Sequence, residues 1–360
     1  MPVYNKNGTQ LSAVYNKNGT SLLVAYDVDG NQVFGGEEPW TPTTLAYDTN
    51  FLINDAWLTS ATTARDAIKA LYQASSDAIP FFIMTDGHGR YNEGNKGCHN
   101  LAESTMRYIP NIQLGDYASY YNYGSNPTNH TRTSAGISNY ICAMGNHEFM
   151  SIETGDIPVL SNLVASYVPS DAVIGSSTYG YYKKLDSKYN VKWLVTQPHI
   201  PDADNSSGFV TKMTSDQYAW LITELSASDG YDIVLIQHEG LNGTYTKGDG
   251  TTYNVSYPNI DINSILSARK AKTSGSYTDS YGVTHTYNFS GCTSDFLCSL
   301  HGHWHVSSYI TKATLGFPVY AGEDFTGQGD SCYGLIDRAN GKLHIYEFAR
   351  GTSNTIVLDL

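Results

Sequence analysis

From residue 60 onward, short apolar runs alternate with stretches of helical spacing, the pattern expected of an α/β domain. Residues 62–74 repeat apolar positions with a helical period and lead into an apolar strand at 80–85. Further short runs at 112–114, 141–144, 233–236 and 296–300 read as buried strands. Residues 215–225 form an amphipathic helix with apolar positions at Tyr218, Trp220, Leu221 and Leu225, ahead of the 233–236 strand. Strand-like runs at 342–348 and 355–358 are expected to complete a second sheet. Polar stretches without periodicity at 90–103, 117–138 and 244–255 read as long loops framing the mouth of a site.

The first 35 residues follow a different rule, an internal repeat of period eleven. Val3-Tyr4-Asn5-Lys6-Asn7-Gly8-Thr9 recurs as Val14-Tyr15-Asn16-Lys17-Asn18-Gly19-Thr20, with a looser copy at Ala25-Tyr26-Asp27-Val28-Asp29-Gly30-Asn31. Asn-Gly or Asp-Gly between strand-favouring residues is a strong hairpin signal. Units this small bury little alone, so they are expected to stack on each other or on another chain. The division that follows is a β-hairpin repeat appendage over 1–35, a Gly/Pro linker over 36–45 and an α/β domain over 46–360. The appendage is expected to serve as a spacer, or to mediate homo-oligomer formation or assembly.

Composition narrows the partners. Apolar residues make up 41% of the chain, enough for a substantial core, while charged residues are only 15%. A net charge of −13 with no extended Lys/Arg run excludes nucleic-acid binding through bulk charge. The short basic cluster Arg269-Lys270-Ala271-Lys272 reads as a solvated helix end. Five cysteines form no CxxC pair, which excludes a zinc knuckle or redox motif; Cys142 reads as a buried strand residue, and a Cys292–Cys298 bridge is an open alternative. Neither a signal peptide nor a membrane span is legible, so the default expectation is a cytoplasmic protein without membrane contact. The hairpin repeats leave a displayed or virion-associated location as the other reading.

Each apolar strand of the larger domain ends at a short polar motif: Asp86-Gly87-His88, Gly115-Asp116, Gly145-Asn146-His147-Glu148, His238, and Gly302-His303-Trp304-His305. Open α/β sheets gather their sites at such strand ends. Asp86 and His88 stand two apart, so in extended backbone both point the same way, and the same holds for His303 and His305. Carboxylate and imidazole together suit Mn²⁺, Fe²⁺ or Zn²⁺ better than Ca²⁺. Asn146 offers a neutral oxygen, and His147 beside it can face a substrate. Taken singly, Gly-Asp is a common turn and His238 a hydrogen-bonded core histidine. Asp86, Asp116 and Asn146 recur at intervals of 30 residues.

In this order the motifs resemble the calcineurin-like metallophosphoesterase family, whose pattern is DxH, GD, GNH[DE], H, GHxH, over roughly residues 46–360. The resemblance implies a four-layer αββα sandwich and two divalent metal ions (Mn, Fe, Zn or Co, with Mn favoured). It implies that Asp86, His88 and His305 hold one ion, Asn146, His238 and His303 the other, and that Asp116 bridges them. It further implies hydrolysis of a phosphomonoester or phosphodiester by a hydroxide bridging the ions, with His147 as general acid. Two better-known branches differ. Purple acid phosphatases carry Gly at the His88 position and Tyr where this chain has Ser119. The protein Ser/Thr phosphatases carry Asp-Arg-Gly just after the second motif, where this chain reads Asp116-Tyr117-Ala118. Arg90 is the candidate phosphate contact in their place. His99, His199 and His301 are expected to support the site rather than bind metal. The competing reading is a displayed or phage-structural binding protein whose domain acts on, or merely binds, a cell-surface phosphate polymer such as teichoic acid.

Overall fold

The computed structural model describes residues 14–15, 21–22, 24–26, 32–35, 55–87, 109–116, 139–149, 160–201, 209–323, 330–349 and 352–360. His88, Arg90, His99, Cys98 and the expected loops at 90–103 and 117–138 lie outside these residues. In the N-terminal segment β1 (Val14–Tyr15) pairs antiparallel with β2 (Ser21–Leu22), and β3 (Val24–Tyr26) with β4 (Gln32–Gly35). Each pair is joined across one of the Asn-Gly or Asp-Gly sites.

The rest is mixed α/β, built on two large sheets. One has six strands in the order β23 (Thr352–Asp359), β22 (Lys342–Ala349), β21 (Ser331–Asp337), β5 (Ala78–Met84), β6 (Asn111–Gln113) and β7 (Tyr140–Cys142). Strands β5, β6 and β7 run parallel, and β21 pairs antiparallel with β5. The second has nine strands: β15 (Thr252–Val255), β14 (Gly243–Lys247), β19 (Ser308–Ile310), β20 (Val319–Ala321), β18 (Phe296–His301), β13 (Asp232–Ile236), β10 (Val191–Val195), β9 (Tyr182–Asp186) and β8 (Val173–Ile174). Its β10, β13, β18 and β20 are parallel. Two separate hairpins complete the list, β11 (His199–Pro201) with β12 (Phe209–Thr211), and β16 (Ser274–Thr278) with β17 (Thr284–Asn288).

Alternation along each strand decides what packs where. Phe81 and Ile83 of β5, Ile112 of β6 and Ile345 of β22 share one core with Trp193 of β10, Val234 of β13 and Leu300 of β18. The intervening residues face the other way. Phe82 and Met84 of β5, with Tyr333 and Leu335 of β21, pack on α1 (Asp55–Ala74), whose buried Trp57, Ala61, Ala64 and Ile68 recur at helical spacing. Helix α2 (Leu160–Tyr167) packs Val164 and Tyr167 on β7. Leu194 of β10 and Leu235 of β13 pack on α3 (Ser215–Ser226) and α4 (Asn263–Ala271). A short α5 (Lys312–Leu315) follows β19. Thr214 caps α3, accepting from Gln217 N at 3.1 Å.

Four expectations change. The C-terminal runs do not build a second sheet: through β21 they extend the sheet that already holds β5. That pairing joins segments about 250 residues apart, beyond the reach of local periodicity. The polar stretch 244–255 is the β14–β15 hairpin, not a loop; its buried positions are Tyr245 and Val255, and Tyr245 is too polar to mark a strand in a periodicity count. Arg269 is fully buried rather than solvated: Nε donates to Leu225 O at 2.7 Å and Nη2 to Ser294 O at 3.0 Å, closing the C-terminal end of α3. Cys142, Cys292, Cys298 and Cys332 are free and buried. No Cys292–Cys298 bridge forms, since Cys298 lies in the core between the sheets while Cys292 Sγ turns to Leu225 O at 3.7 Å. No helix among the described residues is long and apolar enough to cross a membrane.

Candidate metal centre

Five strands of the two sheets deliver the motifs to one place. Asp86 follows β5, Asp116 follows β6, the 3-10 turn Asn146–Glu148 follows β7, His238 follows β13, and the Gly302–His305 turn follows β18. Because β5, β6 and β7 are in parallel register, with Met84 beside Gln113 and Gln113 beside Cys142, their three loops leave the sheet side by side.

Two groups of potential ligands emerge. Atoms of Asp116, His238 and His303 lie within 4.8 Å of one another, as do atoms of Asp86, Asp116 and His305. Asp116 belongs to both. Asn146 Oδ1 joins the first group, 3.1 Å from His238 Nε2 and 2.9 Å from His303 Nδ1. His147 belongs to neither; its N–H donates to Asp116 Oδ1 at 2.8 Å and its Nε2 stands 3.9 Å from Asp116 Oδ2. The structure thus brings together Asp86, Asp116, Asn146, His147, His238, His303 and His305.

The backbone that achieves this is not extended. Asp86, Asp116, His303 and His305 have φ of 52, 50, 74 and 53°. His303 and His305 therefore do not project side by side: His303 turns to Asn146 and His238, and His305 Nε2 reaches Asp86 Oδ1 at 3.2 Å. Close approach depends on glycines. A Cβ on Gly145 would collide with Asp116 Oδ1 and with its amide, and one on Gly302 with Thr85 Oγ1.

The surrounding polar groups are fixed by residues outside the expected ligand set. Glu148, fully buried, accepts from Gly145 N at 2.5 Å and Asp116 N at 3.1 Å, tying two motif loops together through one carboxylate. Thr85 Oγ1 and His303 N both donate to Asp86 Oδ2, the latter at 2.9 Å. Gln113 Nε2 donates to Gly115 O at 3.1 Å. His301 is buried between Ser299 Oγ and Glu239 O, each at 2.7 Å; burial pushes it down to about 4, so it stays neutral. His199 pairs with buried Glu239 at 2.5 Å. Burial alone would raise the Glu239 carboxyl, but His199 chiefly holds it down at about 2. Neither His199 nor His301 falls in the ligand groups. Glu148 was legible only as the last letter of its motif; Thr85 and Gln113 carried no sequence signal.

The electrostatics call for a cation. His238 Nδ1 faces Leu114 O at 2.7 Å and must donate to it, which points the Nε2 lone pair inward. There it meets Asp116 Oδ2 at 3.1 Å, Asn146 Oδ1 at 3.1 Å and His303 Nδ1 at 3.2 Å, a concentration of lone pairs. Without a metal only protons can relieve it. Burial lowers the His238 pKa, yet Asp116, with Asp86 and Glu239, outweighs burial and raises it well above the ordinary value. His303 moves the other way, lowered by burial and by His238. Asp86 Oδ1 is buried beside His305 Nε2 at 3.2 Å and accepts no well-formed hydrogen bond among the described residues. A divalent ion that accepts both imidazole nitrogen and carboxylate oxygen fits these donor groups.

No family model matches the chain, and no curated protein matches it. Among solved structures it is similar to the sulfate thiohydrolase SoxB of Thermus thermophilus, in complex with glycerol, at 9% identity and a TM-score of 0.37. The match covers 74% of this chain and 42% of that one, so the chain spans less than half the length of SoxB. A likeness this slight says nothing about chemistry.

Proposed function

We propose that the chain is a dinuclear metal-dependent phosphoesterase of the calcineurin-like type, with a four-layer αββα core. The observation that carries this reading is one buried carboxylate, Asp116, shared by two groups of nitrogen and oxygen ligands. Asp86 and His305, with His88 joining them by sequence, would hold one ion; Asn146, His238 and His303 would hold the other. Ions held by these residues would supply neutralisation of phosphoryl charge and activation of water at neutral pH.

The chain's own residues supply the rest. Leu114 O fixes the His238 tautomer, and Glu148 holds the Gly145 and Asp116 amides. His147, outside both groups and partly open to solvent, would give a proton to the leaving oxygen, a contribution of about 10²–10⁴ in rate. The two strand pairs within residues 14–35 support a separate role for this segment in attachment or assembly, which leaves room for a displayed enzyme.

Hydrolysis of p-nitrophenyl phosphate and bis(p-nitrophenyl) phosphate after chelation and Mn²⁺ or Zn²⁺ add-back tests the proposal. Turnover should require metal, vanish in Asp116→Ala, and fall at least a hundredfold in His147→Ala with metal content kept. Turnover that survives chelation or Asp116→Ala would refute it.

A further inference from the structure

Beside His303 stands a group of aromatic rings that the metal chemistry does not use. Tyr257 lies 6.2 Å from the His303 ring, edge to face, and 5.9 Å from Trp304. Tyr253 lies 5.8 Å from Trp304 and stacks at 20° on the fully buried Tyr245, its cross-strand partner in the β14–β15 hairpin. Tyr253, Tyr257 and Trp304 are only half-buried.

Two details separate this cluster from ordinary core packing. Asn242 grips the Tyr257 backbone on both sides: its Oδ1 accepts from Tyr257 N, and its Nδ2 donates to Tyr257 O at 3.4 Å. Yet the Tyr257 hydroxyl makes no hydrogen bond among the described residues. The ring is held in place, half-buried, with its hydroxyl unpaired among the described residues. Tyr253 is pinned differently, through its hydroxyl to Ser308 Oγ at 2.7 Å. Fixed, half-open ring faces bind flat apolar partners without first losing side-chain freedom.

Resting on the phosphoesterase reading, we infer that Tyr257, Tyr253 and Trp304 form a stacking wall for a flat aromatic group of the substrate, so that the substrate class is a nucleoside or aryl phosphoester. The wall adjoins His303, so a ring seated there stands next to the ions' ligands. With a net charge of −13, a neutral ring is better accommodated than a chain of further phosphates. A polyol leaving group would need hydrogen-bonding side chains, and this wall offers mainly ring faces.

The test compares adenosine 5′-monophosphate with glycerol 3-phosphate. Both are monoesters of primary alcohols, so a difference reports recognition rather than leaving-group chemistry. A dinucleotide and glycerophosphoglycerol form the matching diester pair. The metal-loaded enzyme should favour the nucleoside substrate at least tenfold in kcat/KM, mainly through KM. Tyr257→Leu should shrink that ratio by about five- to a hundredfold, the range covered by base–aromatic stacking, and Tyr257→Phe should restore it. No preference, or one that Tyr257→Leu leaves unmoved, would overturn the inference and leave the phosphoesterase reading standing. If no ester is hydrolysed, it is the phosphoesterase reading that fails, and adenosine alone then tests the wall. Saturable quenching of tryptophan fluorescence in the wild type, lost in Tyr257→Leu, would support it; no saturable quenching would overturn it.

Discussion

Positive φ is uncommon away from glycine and costs about 1–3 kcal/mol where it is enforced. Among the described residues it occurs at six non-glycine positions, and Asp86, Asp116, His303 and His305 are four of them. Such concentration at one cluster points to backbone shaped for the side chains it carries rather than for stability. Glu148 is the residue that holds this shape, since a single carboxylate accepts from two motif loops. Glu148→Gln keeps the size but removes the charge. It should weaken metal binding by about 10–100-fold, measured by competition with a chromophoric chelator. Affinity within twofold of wild type would mean that Glu148 does not position the ligands. The residues that meet at this centre were legible in the sequence because each polar motif follows an apolar strand. Their geometry was not: spacing of two suggested extended backbone at Asp86 and at His303–His305, whereas left-handed turns send each side chain its own way. Glu148 could be seen but not assigned, because its partners are backbone amides, which no residue code reveals.

At the scale of elements, the strands ahead of the motifs were readable from apolar runs of three to six residues, and the ends shifted by only a residue or two. What escaped was pairing between distant segments, above all β21 on β5, and a hairpin built from Thr and Tyr. Polar groups also anchor elements in ways that hydrophobic periodicity misses. Asp279, at the turn of the β16–β17 hairpin, accepts from Ser215 Oγ at 2.6 Å and from the Tyr281 and Val283 amides at 2.9 and 3.0 Å. Burial alone would raise its carboxyl, but these bonds and His285 hold it at about 2, below the ordinary carboxylate value. A depressed folded-state pKa stabilises above the unfolded value near 3.9 and ceases to do so as pH falls through about 2. Asp279→Asn should therefore cost about 2 kcal/mol in urea denaturation at pH 7, with the gap to wild type narrowing below pH 4. A pH-independent gap would contradict this. Arg269→Met removes the guanidinium donors from Leu225 O at the end of α3 and from Ser294 O and should cost about 2–4 kcal/mol; a loss under 1 kcal/mol would show that water replaces them.

Across the whole molecule, two sheets share one core and direct their motif loops to a single centre, so both sheets must be in place before the ligands meet. Ion binding should therefore stabilise the entire domain rather than one loop. Saturating Mn²⁺ or Zn²⁺ should raise Tm by several degrees in a single cooperative transition. A chelated protein with unchanged Tm would argue that metal is not part of the folded state. On the proposed reading, one carboxylate, Asp116, joins two metal sites. Metal stoichiometry by mass spectrometry of the reconstituted chain tests it most directly, with wild type, His238→Ala and Asp116→Ala measured side by side. The wild type should hold two ions per chain, His238→Ala should retain one, and Asp116→Ala should lose both at micromolar metal. One ion or none in the wild type, or two still bound in Asp116→Ala, would contradict it.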